Sequence, residues 1–483
     1  MVNTIQGLPR NQTFLLPKTL EEYVQQDNPV RFIDAWIDAQ NLQTLLFTHT
    51  IPNEEGRPFY DPKDLCKLYL YGGLYHARSS RKLERQCQVN LEVIWLMKGL
   101  TPDYKTIADF RKDNVQCIKA LFKEFVKLCM GLGLYGGELI GTDGSKFKAV
   151  NAKEKHFTQQ TLAKRIKLIE ESVQRYLEEL DAADKQEENE AKHAWEEKVK
   201  TLLKKKEKCQ ELLSEMKHSG QNEVALSDPE CRLMKTRGGI ESCYNVHTAV
   251  DAKNHLIVDY DVTNAPSDNH ELCSIAKNAK ETLGVERIKV VADNGFQDAL
   301  EIKECVDNGI TPYVAQKRNS NGGHGDVPTA EFSADRFVYD KGADVYVCPA
   351  GQRLEFYYSA VMGGKKMRIY KSKTGACFSC RFFMTKCTKF KDGRWVHRWE
   401  HEEVMDELRE RLRLHPEVMD KRKELVEHPF GTVKRAFGAG YLLLRGLGKV
   451  SGEVGFTMIA YNMRRALNIL GPKALMQALC GCV

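Results

Sequence analysis

Glu138-Leu-Ile-Gly-Thr-Asp143-Gly-Ser-Lys-Phe-Lys-Ala149 opens with the pattern of a buried strand, reaches a carboxylate at Asp143, and continues into residues of turn character. The same figure recurs in Arg287-Ile-Lys-Val-Val-Ala-Asp293, followed by Asn294-Gly-Phe296. Between them, Tyr244-Asn-Val-His-Thr-Ala-Val250 and His255-Leu-Ile-Val-Asp-Tyr-Asp-Val262 flank an Asp251-Ala-Lys-Asn turn and predict a hairpin. A helix over 268–283 precedes the second acid-terminated strand; a helix over 297–307 and the strand Thr311-Pro-Tyr-Val-Ala-Gln316 follow it. Three strands joined locally, then two more reached through helices, describe a mixed α/β sheet in which Asp143 and Asp293 leave adjacent strands.

Outward from this sheet the periodicity is helical. Residues 1–135 repeat apolar side chains at three and four (Phe32, Ile33, Trp36, Ile37; Leu65, Tyr69, Leu70, Leu74), with Pro29 behind Asn28 and Ser79-Ser-Arg-Lys-Leu-Glu84 as helix starts and Arg57-Pro-Phe-Tyr-Asp-Pro62 as a break. Between 160 and 218, Leu162, Ile166, Ile169, Val173, Tyr176 and Leu180, then Trp195, Val199, Leu202, Cys209 and Leu212, predict two antiparallel helices around a polar turn, a solvated spacer inserted into the sheet domain. With 483 residues, 42% of them hydrophobic, the chain has material for about three structural units, which excludes a disordered or fibrous protein. No apolar run is long enough to cross a membrane and the first residues lack a secretory signal, so the expectation is a soluble intracellular protein. A net charge of +6 is too mild to name a partner by itself.

Two acids at neighbouring strand ends repel and require a cation; their hard oxygens suit Mg²⁺, and with a third acid two ions can serve an in-line displacement at phosphorus. Lys421-Arg-Lys-Glu-Leu-Val-Glu427-His-Pro-Phe-Gly-Thr-Val-Lys434-Arg435 supplies the third candidate. On a helix Glu427 and Lys434, seven apart, share a face, which would set a phosphate-holding cation two turns from the metal. Separately, Cys348, Cys377, Cys380 and Cys387 fit a tetrahedral zinc site of irregular spacing, with His397 as an alternative to one thiol. From Cys377 to Trp399 six basic residues (Arg381, Lys386, Lys389, Lys391, Arg394, Arg398) stand against Asp392 alone, interleaved with Phe378, Phe382, Phe383, Trp395 and Trp399. Such a surface could hold phosphates and stack on unpaired bases; the same aromatics could equally be the core of a small module. In the N-terminal helices, Arg78, Arg81, Lys82, Lys105, Arg111 and Lys112 are candidate phosphate contacts.

Six segments together make the chain resemble the DDE transposases of bacterial insertion sequences, in particular the insertion-sequence eleven-eighty-two family. They are Gly56-Arg-Pro-Phe-Tyr-Asp-Pro62, Ser79-Ser-Arg-Lys-Leu-Glu84, Pro102-Asp-Tyr-Lys-Thr-Ile-Ala-Asp-Phe-Arg111, Gly141-Thr-Asp-Gly-Ser-Lys146, Ala292-Asp-Asn-Gly-Phe296 and Val426-Glu-His-Pro-Phe-Gly-Thr-Val-Lys434. The resemblance implies a ribonuclease H-like α/β core with a mixed sheet. Its domains would be a helical, DNA-end-binding 1–135; a catalytic core of 136–317 and 400–483 carrying the helical hairpin 155–220; and a cysteine-rich basic insertion, 318–399. It implies Asp143, Asp293 and Glu427 as catalytic acids holding two Mg²⁺ ions, with Mn²⁺ able to substitute, and Arg422, Lys423, Lys434 and Arg435 as DNA contacts. The related signature Tyr-x₂-Arg-x₃-Glu-x₆-Lys is met at Glu427 and Lys434, while Asp420 and Lys423 stand at its first two positions. The implied activity is cleavage at terminal inverted repeats and strand transfer into target DNA, by a homodimer on DNA in the bacterial cytoplasm, at the nucleoid when bound. The alternatives are a catalytically inactive DNA-binding descendant and a metal-dependent nuclease that does not join strands.

Overall fold

The computed structural model describes residues 19–51, 58–184, 189–316, 329–373 and 375–481. Gly56 and Arg57 of the first resemblance segment, the chain start and part of the turn between the two long helices lie outside the described residues, as do the side chains of Leu180 and Trp195. Along the chain come helices α1 (Leu20–Tyr23), α2 (Pro29–Asp38), α3 (Pro62–Leu74), α4 (Ser80–Val89), α5 (Leu91–Leu96), α6 (Tyr104–Asp113) and α7 (Val115–Gly131), then strands β1 (Leu139–Lys148) and β2 (His156–Thr158). Helices α8 (Gln159–Asp184) and α9 (Asn189–Ser219) lead to β3 (Glu223–Ala225), β4 (Arg232–Thr236), β5 (Gly239–Asp251) and β6 (Ile257–Thr263). Next are α10 (Leu272–Leu283), β7 (Ile288–Ala292), α11 (Ala299–Asp307) and β8 (Ile310–Val314). Strands β9 (Val338–Asp340), β10 (Val345–Val347), β11 (Arg353–Met362), β12 (Lys365–Ser372) and β13 (Trp395–Trp399) precede α12 (Glu402–Leu414), α13 (Pro416–Gly431) and α14 (Leu447–Gly481). No helix among the described residues is long and apolar enough to cross a membrane.

By its internal contacts the chain forms two compact units, Met1–Gly136 with Gly144–Pro266 and Glu427–Val483, and Gly137–Asp143 with Ser267–Val426. In the first, the N-terminal helices start where local chemistry dictates. The Asn28 side chain accepts from the Val30 N–H at 2.9 Å with Pro29 in the first turn, and Asp61 caps α3 in the same way through Lys63. Their apolar faces do not form a separate core: Trp36 packs edge-on to Phe125, Phe122 to Tyr260 of β6, and Tyr69 stacks on Phe456 of α14 at 4.8 Å. The middle of α14, from Val450 to Leu467, is buried on nearly every side, and a Cβ on Gly73 of α3 would come within 2.7 Å of the Ala460 Cβ. The Asn462 side chain accepts from the Ile257 N–H and donates to its carbonyl, fastening α14 to β6. Strand β5 pairs antiparallel with both β4 and β6, matching the expected hairpin, and its other neighbour is β1.

The expected helical hairpin is present, with Leu162, Ile169, Cys209 and Met216 buried between α8 and α9. Its base is the antiparallel pair β2–β3, where buried His156 lies 2.7 Å from Ser242 Oγ through Nδ1 and 3.0 Å from Glu223 Oε2 through Nε2. A carboxylate only accepts, so Nε2 carries the proton and donates, while Nδ1 accepts from the Ser242 hydroxyl. Burial lowers the His156 pKa, and Glu223 opposes this only in part. The stability that neutral His156 contributes is therefore complete above its unfolded pKa of about 6.5 and is lost as pH falls through the lower folded value. Hydrogen exchange at the Phe157 and Val224 amides should accelerate between pH 7.5 and pH 5 relative to amides in α7, and His156→Gln should abolish that differential. A pH-independent ratio in the parent protein would remove His156 as the cause.

In the second unit, the first residues of β1 pair in parallel with β7, and β7 in parallel with β8, with α11 connecting the last two strands. This mixed α/β arrangement follows the predicted order of elements. One local expectation fails: β1 does not stop at the acid but continues to Lys148. The later residues remain extended because they have partners. The Ala149 N–H donates to the Ser242 carbonyl, and Lys148 exchanges backbone hydrogen bonds with Gly440 and Leu442, which outweighs the turn preference of Gly144-Ser145. The cysteine-rich segment, for which no strands were expected, contains a five-stranded antiparallel sheet ordered β13-β12-β11-β10-β9 around Tyr346, Leu354, Tyr370 and Val396.

Candidate catalytic site

The parallel register sets Leu139 beside Lys289, Ile140 beside Val290 and Gly141 beside Val291. Two residues further along each chain lie Asp143 and Asp293, so the register carries the two aspartates to one level on neighbouring strands, about 5 Å apart between backbones. Equal steps of two also send both side chains to the same face. Both residues are half-buried. Asp293 stays extended (φ −81°, ψ −177°) and its Oδ1 accepts from the Gly295 N–H at 2.7 Å, which fixes one carboxylate oxygen. Gly295 is needed for this turn: a Cβ there would come 2.9 Å from Asp293 Oδ1 and 3.5 Å from Asp268 Oδ2.

Asp268 is thereby a further acid beside Asp293, and the sequence reading missed it. A lone aspartate in Ser267-Asp-Asn269 ahead of a helix has the signature of a turn residue. Clustered carboxylates with fixed oxygens are a hard-donor set, the kind that takes Mg²⁺ or Mn²⁺ in preference to softer ions. Among the described residues no group of three or more His, Cys, Asp or Glu side chains is already closed around a metal position.

Glu427 is exposed on α13 and directly follows buried Leu425 and Val426. Those two pack on β1: a Cβ at Gly141 would lie 2.9 Å from the Leu425 Cβ and 3.2 Å from Val426 Cγ1. The helix continues through Pro429 and then widens into a π-helical turn, Thr432–Ala436, where the Phe437 N–H reaches the Thr432 carbonyl. Proline lacks the N–H for an α-helical bond and crowds the preceding turn, and the wider turn follows directly behind it. The seven-residue spacing of Glu427 and Lys434 is consequently not two α-helical turns. Lys434 Nζ donates to the Lys146 carbonyl at 2.6 Å and lies 4.6 Å from the centre of the Phe147 ring. Lys423 and Arg435 are exposed, and Arg422 is half-buried.

Other expected cations are structural. Arg78 donates to the Gly438 and Tyr441 carbonyls and pairs with Glu453; Arg111 is buried against the Tyr69 ring. In the small sheet, Arg398 is buried over Tyr339 and bonded to Tyr346 and Asp406, and Trp399 is core, whereas Phe378 is exposed. Cys348, Cys377, Cys380 and Cys387 line one small cavity, while His397 lies exposed on β13 and is not part of its lining.

Two family models match the chain. Residues 18–113 match a transposase domain (DUF772), and residues 347–467 match the transposase DDE domain. The chain carries a transposase DDE domain and is a DNA transposase. It is thus an enzyme that binds DNA, cleaves it and transfers strands, and its DDE domain implies dependence on a divalent metal. The DDE match contains Glu427, Lys434 and all four cavity-lining cysteines; Asp143 and Asp293 lie between the two matched regions. No curated protein matches the transposase. Among solved structures, a piggyBac transposase synaptic complex with hairpin DNA aligns over 94% of this chain and 79% of its own, at 7% identity and a TM-score of 0.33, too loose a superposition to bear on the fold.

Proposed function

We propose that Asp143, Asp293 and Glu427 are the catalytic acids of this transposase, on a ribonuclease H-like core of the insertion-sequence eleven-eighty-two type. The observation that carries the reading is the β1–β7 register, which brings two carboxylates to one level and one face. The packing of Leu425 and Val426 on Gly141 supports Glu427 as the third, since it fixes the residue next to it in the chain.

Two Mg²⁺ ions, or Mn²⁺ in their place, would lower the pKa of the attacking water and neutralise charge on the phosphate. Asp143 and Asp293 would supply carboxylate oxygens to the metal, and the Gly295 N–H, bonded to Asp293 Oδ1, keeps that carboxylate from rotating away. Glu427 completes the set from α13. Lys434, bonded to the Lys146 carbonyl, anchors the turn after that helix, and Lys423, Arg422 and Arg435 contact DNA phosphates along it. Water attacks the phosphodiester at the terminal inverted repeat, the bond to the 3′ oxygen breaks, and that oxygen leaves as a hydroxyl. The 3′-hydroxyl then attacks a phosphodiester of target DNA, giving up its proton as the new ester bond forms, and the target's own 3′ oxygen leaves as a hydroxyl. No side chain forms a covalent intermediate, because positioning and charge neutralisation carry the displacement.

In this reading helices 1–135 bind the element end, two copies act together on DNA so that both ends are cut, and the enzyme works in the bacterial cytoplasm at the nucleoid. Incubation with labelled terminal repeats, a target plasmid and Mg²⁺ should yield joined product. Cut ends that never join would make the protein a nuclease, and a mobility shift alone would make it a DNA-binding descendant.

A further inference from the structure

Two segments remote in sequence deliver sulfur to one place. Cys348 follows β10, Cys377 and Cys380 follow β12, and Cys387 lies further along the same irregular stretch; all four line a cavity of about 20 Å³ together with Arg394. A space of that size admits a single atom-sized guest. None of the four is in a disulfide.

The backbone is folded to serve these sulfurs. Cys348-Pro-Ala-Gly351 is a tight turn closed by the Gly351 N–H on the Cys348 carbonyl, with Gly351 left-handed at φ +80°. This turn aims the Gln352 N–H at Cys348 Sγ, 3.3 Å away. The Cys380 N–H donates to the Cys377 carbonyl, and the Ser372 hydroxyl lies 2.9 Å from Cys377 Sγ. Gly393, also left-handed, passes so close that a Cβ would come within 3.2 Å of that sulfur. Hydrogen bonds to sulfur orient the would-be ligands as the outer partners of a metal site do, and Arg394 lines the same cavity.

A second observation points the same way. Among the described residues from 373 to 394 there is neither helix nor strand, yet Cys387 and Thr388 within this stretch are buried. Irregular chain of that length, beside a core of a few side chains, needs a cross-link to hold one conformation. Four sulfurs with no carboxylate among them select a soft, tetrahedral ion.

We infer that Cys348, Cys377, Cys380 and Cys387 bind one structural zinc ion that holds the 373–394 segment on the small sheet, separately from the catalytic metal. Binding requires the four side chains, each with a single torsion, to turn onto a common centre.

Full-length protein without an affinity tag, grown with zinc, should contain about one zinc per chain after dialysis against a weak chelator. Titrating it with an organomercurial should release that zinc as four thiols react, and cobalt substituted for zinc should show the visible bands and sulfur-to-metal charge transfer of tetrahedral thiolate ligation. Cys377→Ser and Cys380→Ser should each lose the metal, whereas Cys480→Ser, at an exposed position in α14, should keep it. Should the cysteine variants not fold, the titration and cobalt spectrum of the parent protein still decide. Zinc-free protein whose four thiols titrate at once while folded, bound iron, or a Cys–Cys disulfide would each overturn the assignment. None of these measurements uses DNA or Mg²⁺, so their failure is distinct from failure of the Asp143, Asp293 and Glu427 assignment.

Discussion

Asp293→Asn is expected to slow cleavage of a labelled terminal repeat about a thousandfold or more while leaving the fold and end binding in place. The substitution is nearly isosteric, and the new amide oxygen can still accept the Gly295 N–H that Asp293 Oδ1 accepts at 2.7 Å. What disappears is one negative charge from a pair brought level by the β1–β7 register. Removing one preorganised electrostatic group from a phosphoryl-transfer site costs about 4 kcal/mol of transition-state stabilisation, which is roughly a thousandfold in rate. Asp143→Asn should do the same for the same reason. Stability provides a second readout of opposite sign. Without divalent metal the two carboxylates repel, so either Asn variant should unfold at the parent temperature or above it, and should lose the extra stabilisation that added Mg²⁺ gives the parent. Cleavage within tenfold of the parent by purified, folded Asp293→Asn would remove it from the site.

What the sequence disclosed and what it hid divide along a physical line. Strand β7, the β5–β6 hairpin and the α8–α9 pair were legible because each buries a repeating face whose period is written in the residues themselves: Val290 and Val291, Val246 and Tyr260, Leu162 and Ile169. Features settled by distant partners were not. The continuation of β1 past Asp143 depends on Ser242, Gly440 and Leu442, none of which is local. Strand β11 buries only Leu354 outright and β12 is interrupted by Lys365, Lys366, Arg368 and Lys371, so neither writes out a buried face by its own period, and what stood out instead were the cysteines flanking the pair and the basic and aromatic residues after Cys377. The π turn after Pro429 altered a spacing argument that assumed a regular helix. Asp268 was invisible because its proximity to Asp293 arises from the meeting of two loops. Likewise, the N-terminal helices looked self-sufficient, whereas α14 completes their core from the opposite end of the chain.

The largest effect expected from a residue with no chemistry of its own belongs to Gly141. Its missing Cβ is what lets α13 lie against β1, since a methyl there would meet the Leu425 Cβ at 2.9 Å and Val426 Cγ1 at 3.2 Å. The valine can rotate, but the leucine Cβ is tied to its backbone, so Gly141→Ala must push the helix away from the strand. Overpacking of this kind costs about 1–3 kcal/mol of stability, which a thermal melt would register. The catalytic cost should be larger than that destabilisation alone implies. Glu427 follows Val426 directly and moves with the helix, and a displacement of about 1 Å in a positioned group lowers rates by about a hundredfold. The comparison should be made well below the melting temperature, where the variant is fully folded, with Gly431→Ala as the partner substitution. Gly431 lies on α13 and an added Cβ there would meet nothing within 4 Å, so its cleavage rate should stay near the parent's. Equal rates for Gly141→Ala and the parent under those conditions would mean that the seating of α13 on β1 does not position the third acid, and Glu427 would lose its physical support.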